Sequence, residues 1–288
     1  MLTHFRPRIR SRHPSHNVLR HTENNLPMMP FRSRIRLGST NVLRSSDRVP
    51  VVELNSIEAI KNSSNKLRMK TCFTEKGVKT ADWWVKNDAN IGKEFTFANE
   101  DDDNRDCDLE ELSFPIISKS LFGSRGLGNK KHDTAEQLKA WLEGKDLSKY
   151  IFEKYYNYNR EYRLHVNNEG CFYTCRKMLK SDTPQEARWY RNDAHCVWIL
   201  EDNESFDKPS NWEEVITESV KALNAVGLDF GAIDLRIQSA KKSNGDVRET
   251  PKFIAVEINS APSFGDKTEE AYIQEIPKML RDKYNKNR

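Results

Sequence analysis

The sequence predicts an α+β protein, and three observations carry that prediction. Two apolar runs near the C-terminus, Gly231 to Ile237 (GAIDLRI) and Lys252 to Pro262 (KFIAVEINSAP), read as strands. Glu161 to Lys177 (EYRLHVNNEGCFYTCRK) alternates and turns at Asn168-Glu169-Gly170, the pattern of a hairpin. Helical segments at Thr134 to Gly144 and Trp212 to Val226 lie between such runs.

At 288 residues the chain is long enough to bury a sizeable core. No run reaches the apolar length that spans a bilayer, so the expectation is a soluble protein without a membrane partner. Cys72, Cys107, Cys171, Cys175 and Cys196 are an odd number without a secretory leader, which points to reduced thiols and a cytoplasmic location. Cys171 and Cys175 lack a second pair at zinc spacing. The net charge of +4 is uneven: residues 1–48 hold ten Arg and no Lys against Glu23 and Asp47, a net +8, so the remainder carries −4.

In order, the arm contains a duplication. Phe5 to Arg20 (FRPRIRSRHPSHNVLR) and Phe31 to Arg44 (FRSRIRLGSTNVLR) share F-R-x-R-I-R followed by N-V-L-R. Such alternation suits a short edge strand whose Arg seek phosphate or carboxylate. Residues 1–30, with Pro7, Pro14, Pro27 and Pro30, read as a basic, flexible arm. Residues 31–65 form a reduced lead-in: RVPVVELN is a short buried strand, Ser56 caps the next helix, and two helical pieces end at Gly77. Lys86 to Phe97 reads as strand or loop, and the acidic Asn99 to Glu111 as an exposed linker.

Phe114 to Gly128 (FPIISKSLFGSRGLG) starts as a strand, with Ile116 and Ser118 on one face and Ile117 and Lys119 on the other. It ends in three glycines, which let backbone N–H groups approach phosphate, although the spacing is neither a P-loop nor a dinucleotide fingerprint. Asp133 is placed to cap the helix closed by Gly144. In Lys149 to Tyr156 (KYIFEKYY), Ile151 and Glu153 share a strand face, and Glu153 stands where it can accept hydrogen bonds from a ligand. Arg163, His165, Arg176 and Lys177 bring cations to the hairpin, with His165 read as structural in preference to a general base. Glu257 and Asn259, two apart, share a face while Ile254, Val256 and Ile258 take the other. Asp234, alone among apolar neighbours, offers a third oxygen ligand, and the set suits a hard cation such as Mg2+.

The order of these motifs, from Lys119 and GSRGLG through IFEKYY, EYRLHV…CRK and GLDFGAIDLRI to FIAVEINSAPSF, resembles the ATP-grasp superfamily, with the RimK-like, alpha-L-glutamate ligase branch most similar. The resemblance covers about residues 66–283. It implies an ATP-grasp fold in which two α+β lobes, residues 66–150 and 151–288, clamp ATP after a short N-terminal lead-in. It implies that Lys119 and Lys70 contact the phosphates beneath a flap of Gly123, Ser124, Arg125 and Gly126. Ile151 to Lys154, including Glu153 and Lys154, becomes a hinge whose backbone reads adenine, with Glu161 near the ribose and Lys177 within reach of the nucleotide. Arg163 and Arg176 become the catalytic cations. Asp234, Glu257 and Asn259 become the ligands of two Mg2+ ions, or of Mn2+ in their place.

The implied activity is a carboxylate–amine ligation through an acyl phosphate, with an amino-acid, peptide or protein acceptor met by Trp189, Arg191 and Asn192. The lead-in is shorter than the family's usual N-terminal lobe, which leaves substrate identity and oligomeric state open. Two alternatives keep the same body: an ATP-grasp kinase needing no amine, and a nucleic-acid or assembly protein bound through the Arg arm.

Overall fold

In the computed structural model, which describes residues 18–20, 31–41, 51–86, 94–97, 106–108, 113–123, 128–191 and 194–287, the strands gather into three sheets. Val18–Arg20 (β1), Arg32–Arg36 (β2) and Val51–Leu54 (β3) make the first, β1 antiparallel and β3 parallel to β2. Val18–Arg20 falls within the stretch expected as a flexible arm; it forms a strand because the second repeat supplies its pairing edge, Val18 opposite Arg36 and Arg20 opposite Arg34. The rest of residues 1–30 lies outside the described residues. The arginines of β2 meet a carboxylate of their own chain: Arg34 and Arg36 both reach Glu53 Oε2, at 2.9 and 3.0 Å. Burial pushes the Glu53 carboxyl up, but Arg36 and Arg34 outweigh it and hold it below its ordinary value.

Ile57–Ser64 (α1) and Lys66–Glu75 (α2) are the two expected helical pieces, capped by the side chains of Ser56 and Asn65. Trp83–Lys86 (β4), Glu94–Phe97 (β5), Asp106–Asp108 (β6), Ile116–Ser120 (β7), Lys130–His132 (β8) and Tyr150–Lys154 (β9) form a six-stranded sheet in the order β6-β5-β4-β9-β7-β8. β6 lies inside the acidic stretch expected as a linker, where Asp106 pairs with Thr96; residues 99–105 and 109–111 are outside the described residues. Ala135–Leu142 (α3) covers one face, setting Leu138 against Trp84, Ile116 and Phe152. Its N-cap is Thr134, one residue later than expected. Thr134 Oγ1 accepts from the Gln137 N–H while the Asp133 N–H donates to Gln137 Oε1, so side chains and backbone close the first turn reciprocally.

Arg160–Asn167 (β10), Gly170–Leu179 (β11) and Cys196–Leu200 (β12) are followed by Trp212–Val226 (α4), Phe230–Ile237 (β13) and Phe253–Asn259 (β14). The strands form an antiparallel sheet ordered β12-β11-β10-β13-β14. One face buries Tyr162, Leu164, Ile233, Leu235 and Ala255 against Val215, Ala222 and Leu223 of α4, with Ile60, Met69 and Phe73 of α1 and α2. Its other face and the six-stranded sheet both contribute to one cleft of about 960 Å³. Asp266–Lys286 (α5) packs Tyr272, Ile276 and Leu280 on Ile35, Val52 and Leu54 of the first sheet. No described helix is long and apolar enough to cross a membrane.

Asn55 fastens the lead-in to the five-stranded sheet. Fully buried at φ 63°, it donates from Nδ2 to the Arg36 and Phe230 carbonyls and accepts at Oδ1 from the Asp229 and Phe230 N–H groups, at 2.9–3.3 Å. Its own N–H donates to Asp229 Oδ2 at 2.6 Å, and Lys283 of α5 bonds the same carboxylate. Asn tolerates the left-handed conformation better than Ala. Asn55→Ala therefore both strains the backbone and strands buried polar groups, and urea unfolding is expected to show a loss of about 3 kcal/mol.

Candidate functional site

The basic end of the cleft follows from strand alternation and helix spacing. Ile117 and Lys119 of β7 face the cleft while Ser118 turns to His132 on the far side, as the sequence implies. Lys119 Nζ donates to Glu153 Oε2 at 2.8 Å, and Lys70 Nζ lies 3.4 Å from the same oxygen. All three are buried. Burial pushes the Lys70 ammonium down to about 8, with the pull of Glu153 only partly offsetting it. Burial pushes Glu153 up, yet Lys119 and then Lys70 hold its carboxyl below the ordinary range. Two ammonium groups thus share one carboxylate, and the cleft floor keeps a surplus of positive charge.

Lys66, which sequence reading did not assign, joins them. Its N–H donates to Leu121 O at 3.1 Å and its Nζ to Gly123 O, so the first turn of α2 is tied to the start of the glycine loop. Burial lowers its pKa against the attraction of Glu257. The available signal was spacing: Lys66 and Lys70, four apart on a helix, share a face. Gly123 lines the cleft, and Ser124, Arg125 and Gly126 lie outside the described residues.

At the oxygen-rich end, Asp234 of β13 stands opposite Glu257 of β14, and Ala232 opposite Asn259. The register slips between Asp234 and Leu235, whose partner is Ala255, so Val256 is an extra residue in β14. The bulge corrects the expected facing. Ile254 and Val256 line the cleft together with Glu257 and Asn259, while Phe253, Ala255 and Ile258 belong to the core. Arg163, cross-strand from Asp234, grips it with two bonds, Nε to Oδ1 at 2.6 Å and Nη2 to Oδ2 at 2.8 Å. Burial opposes the Arg163 charge, but Asp234 outweighs it and keeps the guanidinium protonated. Asn259 Nδ2 lies 3.4 Å from Glu257 Oε1. Among the described residues no three His, Cys, Asp or Glu side chains form a metal-binding group; with the Asn259 amide as third donor, the set is all oxygen and fits a hard cation.

Between the two ends runs a polar wall. Glu161 accepts from Arg236 Nε at 3.1 Å, Arg191 Nη1 lies 4.0 Å from it, and Arg236 Nη2 donates to Trp189 O at 3.1 Å. Burial lowers the proton affinity of Arg191, whose Nη2 donates to Asn159 O. Arg236 was missed although the i, i+2 rule places it on the face of Asp234. Lys177 and Arg163 both stand over the Trp198 ring, at 5.2 and 4.9 Å from its centroid. Trp189 lines the same wall, and Asn192 is outside the described residues.

Two assignments are corrected. Arg176 does not reach the cleft: it sits opposite Tyr162, whose side chain belongs to the core face, and its Nη1 donates to the carbonyls of Ser205 and Phe206 at 2.8 and 3.3 Å. Alternation gives the cleft face to its neighbours Cys175 and Lys177. The stretch Ile151 to Lys154 is not an open hinge, because Phe152 and Glu153 pair with β4 on one side and β7 on the other, and the Lys154 N–H donates to Asp82 O. The Lys154 side chain does line the cleft, with Tyr155 and Tyr156 beyond it. His165 is structural as read: its Nδ1 is 3.0 Å from the Tyr272 hydroxyl, and burial and then Arg163 push its pKa down to about 3.

No family model matches the sequence, and no curated protein matches it. Among solved structures, D-alanine–D-alanine ligase from Bacillus anthracis is similar over 81% of this chain and 73% of its own, at 15% identity and a TM-score of 0.55. The same ligase complexed with ATP is similar over 82% and 73%, at 16% identity and a TM-score of 0.53. The ATP-grasp ligase PsnB complexed with a minimal precursor covers 81% of this chain and 65% of its own, at 15% identity and a TM-score of 0.47. The chain has the ATP-grasp fold.

The shared carboxylate makes a test of the basic end. Glu153→Gln leaves two buried ammonium groups without their counter-charge, and chemical denaturation is expected to show a loss of about 3–5 kcal/mol. Adding Lys70→Met to that variant removes one stranded charge and is expected to restore part of it.

Proposed function

We propose that this chain is an ATP-dependent ligase joining a carboxylate to an amine through an acyl phosphate. The observation that carries the reading is one cleft with Lys66 and Lys119 at one end, backed by the buried Lys70 that shares Glu153 with Lys119, the oxygen donors Asp234, Glu257 and Asn259 at the other, and Arg163 bonded to Asp234. The similarity in fold to a ligase whose structure was determined with ATP supports it.

In this reading the lysines take the nucleotide phosphates, with Gly123 and the rest of its loop above them. Lys154, Glu161 and Lys177 border the nucleoside. The base is read after β9, along Tyr156 to Asn159, because the backbone of Phe152 and Glu153 is committed to sheet pairing and the Tyr155 N–H to Pro115 O. Asp234, Glu257 and Asn259 would hold Mg2+, which would supply neutralisation of phosphate charge. A carboxylate oxygen attacks the γ-phosphorus, and the bond to the ADP oxygen breaks. An amine then attacks the acyl carbon, the C–N bond forms, the C–O bond to phosphate breaks, and the amine releases a proton to solvent. Arg163 faces the charge that develops in both steps, a role that Arg176 on the opposite sheet face does not share. No side-chain nucleophile is required, in keeping with Cys175, whose thiol burial pushes up to about 12. Trp189 and Arg191 border the acceptor. The assignment to the RimK-like branch rests on the order of motifs.

Wild type with ATP and Mg2+ in pools of amino acids and acidic peptides is expected to yield an adduct lighter by one water than its two parts. Glu257→Gln is expected to lower turnover at least about 100-fold. ADP release that yields a phosphorylated compound and ignores added amine would instead establish a kinase.

Lys70 gives a pH signature. Its folded pKa is depressed to about 8, so the ammonium is charged below that pH and loses its charge as pH rises through it. Affinity for a non-hydrolysable ATP analogue is expected to weaken above pH 8 by up to about tenfold per pH unit, while Lys70→Met binds weakly with a flatter profile.

A further inference from the structure

β12 ends the five-stranded sheet, and among the described residues its neighbour is β11 alone. An open edge carries unpaired backbone donors and acceptors, which proteins usually blunt with charge, proline or a bulge. The sequence of β12, CVWIL, has no charge or proline, its pairing to β11 runs without a register shift, and Val197 and Trp198 are 41% and 40% exposed. Trp198 and Leu200 line the cleft, and alternation sends Val197 the other way. The face shown by Trp198 has more cations than anions: Arg163 and Lys177 stand over its ring and Arg191 and Arg236 line the same cleft, against the carboxylates of Asp234 and Glu161 that bind Arg163 and Arg236.

We infer that an extended peptide bearing carboxylate side chains docks along β12 as an added strand, delivering every second side chain to the cleft beside Trp198, Lys177 and Arg163. Main-chain pairing supplies affinity and the basic face supplies selection, the division of labour of strand addition. The period of a strand makes the inference specific in spacing. Acidic residues at alternate positions all reach the basic face, whereas a contiguous acidic block sends half of its charge to the Val197 side. A nucleic acid offers phosphates to the same cations but no backbone amides for the edge. The inference rests on the ligase reading and names the class of its macromolecular substrate.

The test uses the full chain with an ATP analogue and Mg2+, and three octapeptides: alternating Thr and Glu, alternating Thr and Lys, and four Glu followed by four Thr. Amide hydrogen exchange over residues 197–200 is expected to slow at least about tenfold with the alternating Glu peptide and little with the others. Fluorescence anisotropy is expected to rank the alternating Glu peptide about tenfold above the block peptide, and Trp198→Ala is expected to lower that affinity. Peptide binding without protection of residues 197–200, equal binding of the Lys peptide, or no binding by any of the three overturns the inference. Adducts formed from free amino acids alone would leave the ligase reading standing without it. Protection of the edge with no ATP-dependent adduct would do the reverse.

Discussion

An antiparallel sheet has two faces, and every side chain on it must take one of them; the site depends on how β10, β13 and β14 divide theirs. Tyr162, Leu164, Ile233 and Leu235 go to the helical core, which forces Glu161, Arg163, Asp234 and Arg236 together on the other side. Cross-strand register then decides which polar groups meet. Arg163 lies beside Asp234, Glu161 beside Arg236, and Asp234 beside Glu257. The bulge at Val256 shifts the phase of β14 once, so Ile254 and Val256 add an apolar strip to the cleft before Glu257 and Asn259 take over. The same rule that assembles the site excludes Arg176, one residue out of phase.

Burying so many charges is tolerable only because each is matched locally and the matches are incomplete in opposite senses at the two ends. Lys119 and Lys70 share Glu153, leaving excess positive charge, and the depressed pKa of Lys70 records the cost. Asp234 is neutralised by Arg163, whereas Glu257 accepts a long, neutral hydrogen bond from the Asn259 amide, which leaves its charge available. A ligand carrying both anionic groups and a divalent cation would complete both ends at once. In the proposed reading that complementarity, more than any single residue, is what would match the cleft to a metal-bound polyphosphate.

Much of this was legible in the sequence because it follows from period. Strands with a clean two-residue alternation, such as FPIISKS and GAIDLRI, disclosed the cleft-facing Lys119 and Asp234, and α4 was readable from end to end. Three kinds of feature were not. A bulge inserts one residue without any compositional mark, so the face of Ile254 and Val256 was misread. β11 has polar and apolar residues on both faces, so the choice between Arg176 and Lys177 needed the partner strand to settle it. Pairing between distant segments is also silent in a local reading: β1 inside a basic arm and β6 inside an acidic run exist because β2 and β5 offer them edges.

The lead-in shows how charge counted along a sequence can mislead about partners. A net +8 over residues 1–48 suggests a phosphate-binding arm, yet Arg34 and Arg36 of its second repeat are tied to Glu53, with Arg36 buried and also donating to the carbonyls of Ser39 and Asn41. Those bonds shape the turn at Gly38, whose φ of +68° favours glycine and whose Cβ position would lie 3.1 Å from Ala261, two residues past Asn259. The second repeat therefore works as a brace against the loop that follows the oxygen-donor strand. Its arginines are committed to Glu53 and to the turn at Gly38, so a charge count along the sequence does not by itself mark a surface for an outside partner.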